Sequence, residues 1–96
     1  MAEQKYQANS DFLARTIGED TVLVPTGAMA ARFNGMVSLD EAGALLWNAL
    51  AQPKTQAQLL NVMQEEYDIP DLAQAQQDVA EFVQSGLESG VLTIAE

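Results

Sequence analysis

The sequence contains no cysteine and no histidine, and only four lysines and arginines among its 96 residues. Without cysteine no disulfide framework is possible, and without either residue type the usual soft metal ligands are missing. The lack of histidine also removes the commonest general base and the side chain that titrates near neutrality. Catalysis would have to rest on carboxylates, and none is flanked by a recognisable partner motif. The scarcity of basic residues sets the charge, because fourteen Asp and Glu leave a formal net charge of −10. A chain so acidic is repelled by phosphate backbones and by anionic membrane surfaces, which argues against nucleic acid as a partner. Long apolar runs are missing as well. The opening MAEQKYQANSD has none, and no stretch approaches the roughly 18 apolar residues of a membrane span. The expectation is therefore a cytoplasmic protein with no signal peptide, no membrane contact and no cofactor.

What is present is enough for one core. An apolar fraction of 48% is ordinary for a globular chain and speaks against disorder. The length suits a single domain, taken as residues 11–96, with the polar residues 1–10 as a frayed, flexible segment. From Phe12 the pattern is strand-like. FLARTI and TVLVP are short and rich in β-branched residues, and Gly18, Glu19 and Asp20 between them form a turn cluster, so the pair reads as a hairpin. Pro25 ends its second strand. AMAARF is compatible with a loop, an irregular strand or a helical turn. Asn34-Gly35 is a turn signal, and MVSL (residues 36–39) reads as a third short strand.

Helical periodicity takes over at Asp40. Ala42, Gly43, Leu46, Ala49 and Leu50 share one face with Leu39, and Trp47 lies at its edge. Thr55 and Gln58 make a T-x-x-Q capping box for a second helix with Leu59, Val62, Met63 and Tyr67 inward. In DLAQAQQDVAEFVQSGLESG the residues Leu72, Ala75, Val79, Phe82, Val83, Gly86 and Leu87 form an apolar stripe. Gln74, Asp78, Glu81, Ser85 and Glu88 make the polar side, and Gly90 is the stop. VLTI adds a strand or an extended tail. The order predicts an α+β, winged-helix-like domain, a three-stranded antiparallel sheet packed on a three-helix bundle.

Ser38, just ahead of a helix, has the local look of a phosphopantetheine attachment site, and small acidic carrier proteins are the rival reading. Carrier motifs place Asp before that Ser, where Val37 stands, and carrier domains open on a long helix. Capping of the helix by Ser38 with Glu41, or by Asp40 alone, is simpler. The pairs Asp40-Glu41 and Glu65-Glu66 do not make a metal site, since adjacent helical residues point about 100° apart. A winged-helix nucleic-acid binder fits the topology and not the charge. One feature points to binding. The third strand reads as a sheet edge, whose unpaired N–H and C=O groups template an incoming strand. Ala73 and Ala80 on a flank of the last helix would leave a shallow groove for an extended peptide. That reading takes the main-chain edge of Met36, Val37 and Ser38, with Phe33 as an apolar contact at its start, and Ala73, Gln76, Gln77, Ala80 and Gln84 as the helix side.

The succession TVLVP…FNGMVSLDEAGALLW…T-x-x-Q-L…EEYDI…DVAEFVQSGLESGVL resembles the PqqD-like family, also called RiPP recognition elements and typified by the pyrroloquinoline quinone biosynthesis chaperone. The likeness runs from about Phe12 to Leu92. It rests on Leu39, Asp40, Gly43, Leu46 and Trp47 at the strand-to-helix junction, on Glu66, Tyr67 and Asp68, and on Leu87, Gly90 and Leu92. Asp40 replaces a frequent Asn, and Pro53-Lys54 stand where Asp-Gly is common. The resemblance implies a non-enzymatic domain that takes the leader of a ribosomally made precursor peptide as an added strand on its third β-strand, against its third helix. It also implies presentation of that precursor to a modifying enzyme, often a radical S-adenosylmethionine protein. The exposed edge strand could pair with its own copy, which leaves a monomer or a weak homodimer as the expectation.

Overall fold

The computed structural model describes residues 3–32 and 36–95. The hairpin is β2 (Phe12–Ile17) and β3 (Asp20–Pro25), following an additional strand β1 (Lys5–Ala8). Then come α1 (Gly27–Arg32), β4 (Val37–Leu39), α2 (Glu41–Ala49), α3 (Gln56–Glu66), α4 (Leu72–Ser89) and β5 (Leu92–Ala95). The three-stranded sheet has the order β2-β3-β4, antiparallel throughout, with Val22 opposite both Arg15 and Ser38. Its inner face carries Phe12 and Leu23, which join Leu46, Leu50, Leu59 and Val79 in the core. The α+β class and the three-stranded antiparallel sheet are those expected from the sequence.

Three differences have physical causes. Residues 1–10, polar and expected to fray, contain β1, which pairs antiparallel with β5 from Lys5 opposite Ala95 to Ala8 opposite Leu92. Backbone bonds hold this segment together with the half-buried Tyr6 and Ala8, which pack on the core: Tyr6 N donates to Lys54 O at 2.8 Å, Lys54 N to Tyr6 O at 3.0 Å, and Ala8 N to Leu50 O at 2.9 Å. Main-chain pairing of this kind leaves no trace in hydropathy. Of AMAARF, residues 28–32 are helical, giving four helices among the described residues where three were expected. Leu72, assigned to the inward stripe, is 43% exposed, because it opens α4 ahead of the first buried turn at Ala75.

The caps explain where each helix starts. Asp40 alone caps α2, its carboxylate accepting from Gly43 N at 2.7 Å. Thr55 and Gln58 form the complete capping box of α3, at 3.1 and 2.9 Å, with Thr55 itself buried. Asp71 caps α4, which ends at Gly90 with φ of 88°, a conformation that glycine adopts without strain. Past that stop the chain turns β5 back against α4. Gly86 is the point of closest approach, since a Cβ there would lie 2.6 Å from Leu92 Cγ.

Candidate functional site

In a sheet ordered β2-β3-β4 the central strand is β3, so β4 has a strand partner on one side and an open main-chain edge on the other among the described residues. The strand spans only Val37–Leu39, one residue shorter than MVSL suggested, and Met36 just before it is 62% exposed. Phe33, together with Asn34-Gly35, lies outside the described residues. Ser38 is the exposed middle residue of β4, two positions ahead of the Asp40 cap. It therefore does not begin a helix, and the local geometry on which a carrier reading depends is missing.

Asp40, immediately after β4, stands on the rim of a groove of about 540 Å³. One wall is the start of α2, with Asp40, Ala42 and Gly43, and the other is the flank of α4 carrying Asp78, Glu81, Phe82 and Ser85. Leu46, Met63 and Val79 add apolar surface from three helices. Phe82 and Met63 are half-buried, so part of each remains available to a ligand. Asp78 accepts from Gln74 Nε2 at 2.9 Å and Glu81 from Gln77 Nε2 at 3.4 Å, so both carboxylates are oriented by uncharged amides one turn earlier on α4.

The acidity extends beyond the groove. Tyr67, at the end of α3, has its phenol raised above the usual value, first by desolvation, then by the charge of Glu41 and the hydrogen bond with it, and then by Glu66 and Asp40. Among the described residues no group of three or more Asp or Glu converges as a metal site would require. No described helix is long and apolar enough to cross a membrane.

The helix residues picked from sequence do not line the groove that begins at Asp40. Gln76 lines a cavity between α3 and α4 with Gln56, Leu60 and Asn61. Ala80 and Gln84 line another, with Tyr6 of β1, Gln56 and Leu87. Ala73 is exposed and, by the helical angle of about 100° per residue, falls on this same flank of α4, whereas Gln77 lies between the flanks with its amide reaching Glu81 at 3.4 Å. The buried stripe of Ala75, Val79, Val83 and Gly86 separates that flank from the one bearing Asp78, Glu81 and Ser85. The groove that begins at Asp40 is thus built from Asp78, Glu81 and Ser85, which sequence reasoning left to solvent, and from Leu46, Met63, Val79 and Phe82, which it left to the core. Phe82 at the margin of the apolar stripe was the available signal, because a large ring at such a margin is half-covered.

The chain matches the family model described as coenzyme PQQ synthesis protein D (PqqD) over residues 20–92. No curated protein sequence matches it significantly. Among solved structures it is similar to one described as TbiB1 in complex with the TbiA(beta) leader peptide. The TM-score is 0.71 at 17% identity, covering 90% of this chain and 93% of that one.

Proposed function

The chain belongs to the PqqD family, and from that premise we propose that it is a non-catalytic adaptor that captures the leader of a ribosomally synthesised precursor peptide. The leader adds as a strand to the free edge of β4 at Met36, Val37 and Ser38, and its side chains enter the groove between α2 and α4. The adaptor then presents the rest of the precursor to a modifying enzyme, which in this family is often a radical S-adenosylmethionine protein. The observation that carries this reading is an unpaired strand edge that leads directly into Asp40, on the rim of a groove with an apolar floor. The solved structure it resembles holds a leader peptide, which supports the same use of the fold. A purely binding role agrees with a sequence lacking His and Cys, in which Asp40 and Asp71 are spent on capping helices. The carrier alternative at Ser38 has no feature in its favour. A protein of this kind works where precursors are made, in the cytoplasm.

The deciding experiment is an NMR titration of labelled protein with the leader of a precursor encoded beside its gene. Shifts are expected at Val37–Leu39, at the start of α2 and at Asp78, Glu81, Phe82 and Ser85. Shifts confined to β2, the opposite edge of the sheet, or to Ala73, Gln76, Ala80 and Gln84 would refute this placement.

A further inference from the structure

We infer that this groove selects a cationic segment: an extended stretch of leader with Lys or Arg next to an apolar residue. The inference rests on the leader-capture reading and adds the charge of the ligand. Both walls are acidic, Asp40 on one side and Asp78 and Glu81 on the other, one helical turn apart on α4. None of the chain's four basic residues, Lys5, Arg15, Arg32 and Lys54, lines the groove. The three carboxylates meet uncharged donors, the backbone of Gly43 and the amides of Gln74 and Gln77, so their charge is not cancelled within the protein. Between the walls lies the apolar surface of Leu46, Met63, Val79 and Phe82. A ligand that satisfies both features carries an apolar side chain inward and cations toward the rims.

Charge across a groove of this size acts within the screening distance, about 8 Å at physiological ionic strength. An acidic leader would meet like charge from both sides, which is a strong means of rejecting wrong partners. The acidic field continues past the rim, where Glu41, Glu66 and Asp40 all act on Tyr67. The groove therefore lies at one end of a wider negative surface that steers a cationic peptide toward it.

The test uses a displayed library of random twelve-residue peptides selected against the full chain, with NMR mapping of the enriched peptides. Peptides that shift Val37–Leu39 and Asp78–Ser85 are expected to be enriched in Lys and Arg beside an apolar residue. Their affinity should fall roughly three- to tenfold in Asp78→Asn/Glu81→Gln, the range two partly exposed ion pairs supply. The control Glu3→Gln/Glu19→Gln removes the same charge at exposed sites that do not line the groove and should leave affinity nearly unchanged. Groove-binding peptides with no basic enrichment, or an equal loss in both variants, would overturn the charge inference and leave leader capture standing. Enriched peptides that map away from β4 and the groove would overturn leader capture and this inference with it.

Discussion

Gly86→Ala is expected to destabilise the protein, although the same change in an open helix would stabilise it. Alanine gains about 1 kcal/mol over glycine from helix propensity. Here the new methyl would stand 2.6 Å from Leu92 Cγ, 2.7 Å from Cδ1 and 3.3 Å from Cβ. Only Cβ is fixed by the backbone of β5; Cγ and Cδ1 clear the methyl only if Leu92, 2% exposed, changes rotamer inside the packed core or the strand shifts. Overpacking of that kind costs about 1–3 kcal/mol, and contacts this short belong at the upper end. The net loss is about 2 kcal/mol, a fall in Tm of about 10 °C for a chain of this length. Leu92→Ala alone, at a site 2% exposed, should cost about 2–5 kcal/mol. With Leu92 truncated the obstruction disappears, and Gly86→Ala should then raise stability by about its propensity gain. The double-mutant cycle, read by urea or thermal unfolding, should show a favourable coupling of about 3 kcal/mol. A Tm that rises in Gly86→Ala alone would refute the packing of β5 on α4.

Three further outcomes follow from named contacts. Thr55→Ala removes one half of the α3 capping box and should cost about 1 kcal/mol in denaturant unfolding, with Gln58 N left without its acceptor. Asn9→Ala should cost about 1–3 kcal/mol, because the Asn9 amide donates to Gly90 O at 2.8 Å and its oxygen accepts from Asp11 N at 2.9 Å, tying the segment after β1 to the end of α4. In a Tyr6→Phe background, phenolate absorbance should show Tyr67 ionising above the usual tyrosine range. Glu41→Gln should lower that value without restoring it, since desolvation is the larger cause. The fold favours the neutral phenol, so its contribution is fully present below the unfolded tyrosine pKa and is lost as pH rises through the higher folded value.

The helix caps were legible because each is a local event. Asp40, the Thr55–Gln58 pair and Gly90 act within one turn of the chain, and all three occur where residue chemistry places them. The hairpin was legible for the same reason, through β-branched runs around a turn cluster. What escaped was non-local. β1 is set by pairing with a strand more than eighty residues away in sequence, as Asn9 Nδ2 reaching Gly90 O shows. The two flanks of the α4 stripe are equivalent to a periodicity argument, which finds the buried line and cannot say which side meets β4. Small residues at Ala73 and Ala80 suggested one flank. The groove that begins at Asp40 lies along the other, where Asp78, Glu81 and Ser85 read as ordinary surface.

The shortness of β4 decides how the binding free energy must be divided. A strand of three residues presents outward main-chain groups from alternate positions only, so its edge offers an incoming peptide very few hydrogen bonds. At about 0.5–1.5 kcal/mol net for each bond, these do not offset the roughly 4–15 kcal/mol lost on association. The edge therefore sets the register and direction of the bound strand, and side-chain burial in the groove must supply most of the affinity. Replacing single peptide amides that face β4 by esters should then weaken binding about fivefold each. Phe82→Ala should weaken it by about thirtyfold or more, the loss expected of an aromatic anchor at roughly 2 kcal/mol. The reverse ranking would mean that the peptide is held along the strand and that the groove beside it plays little part in capture.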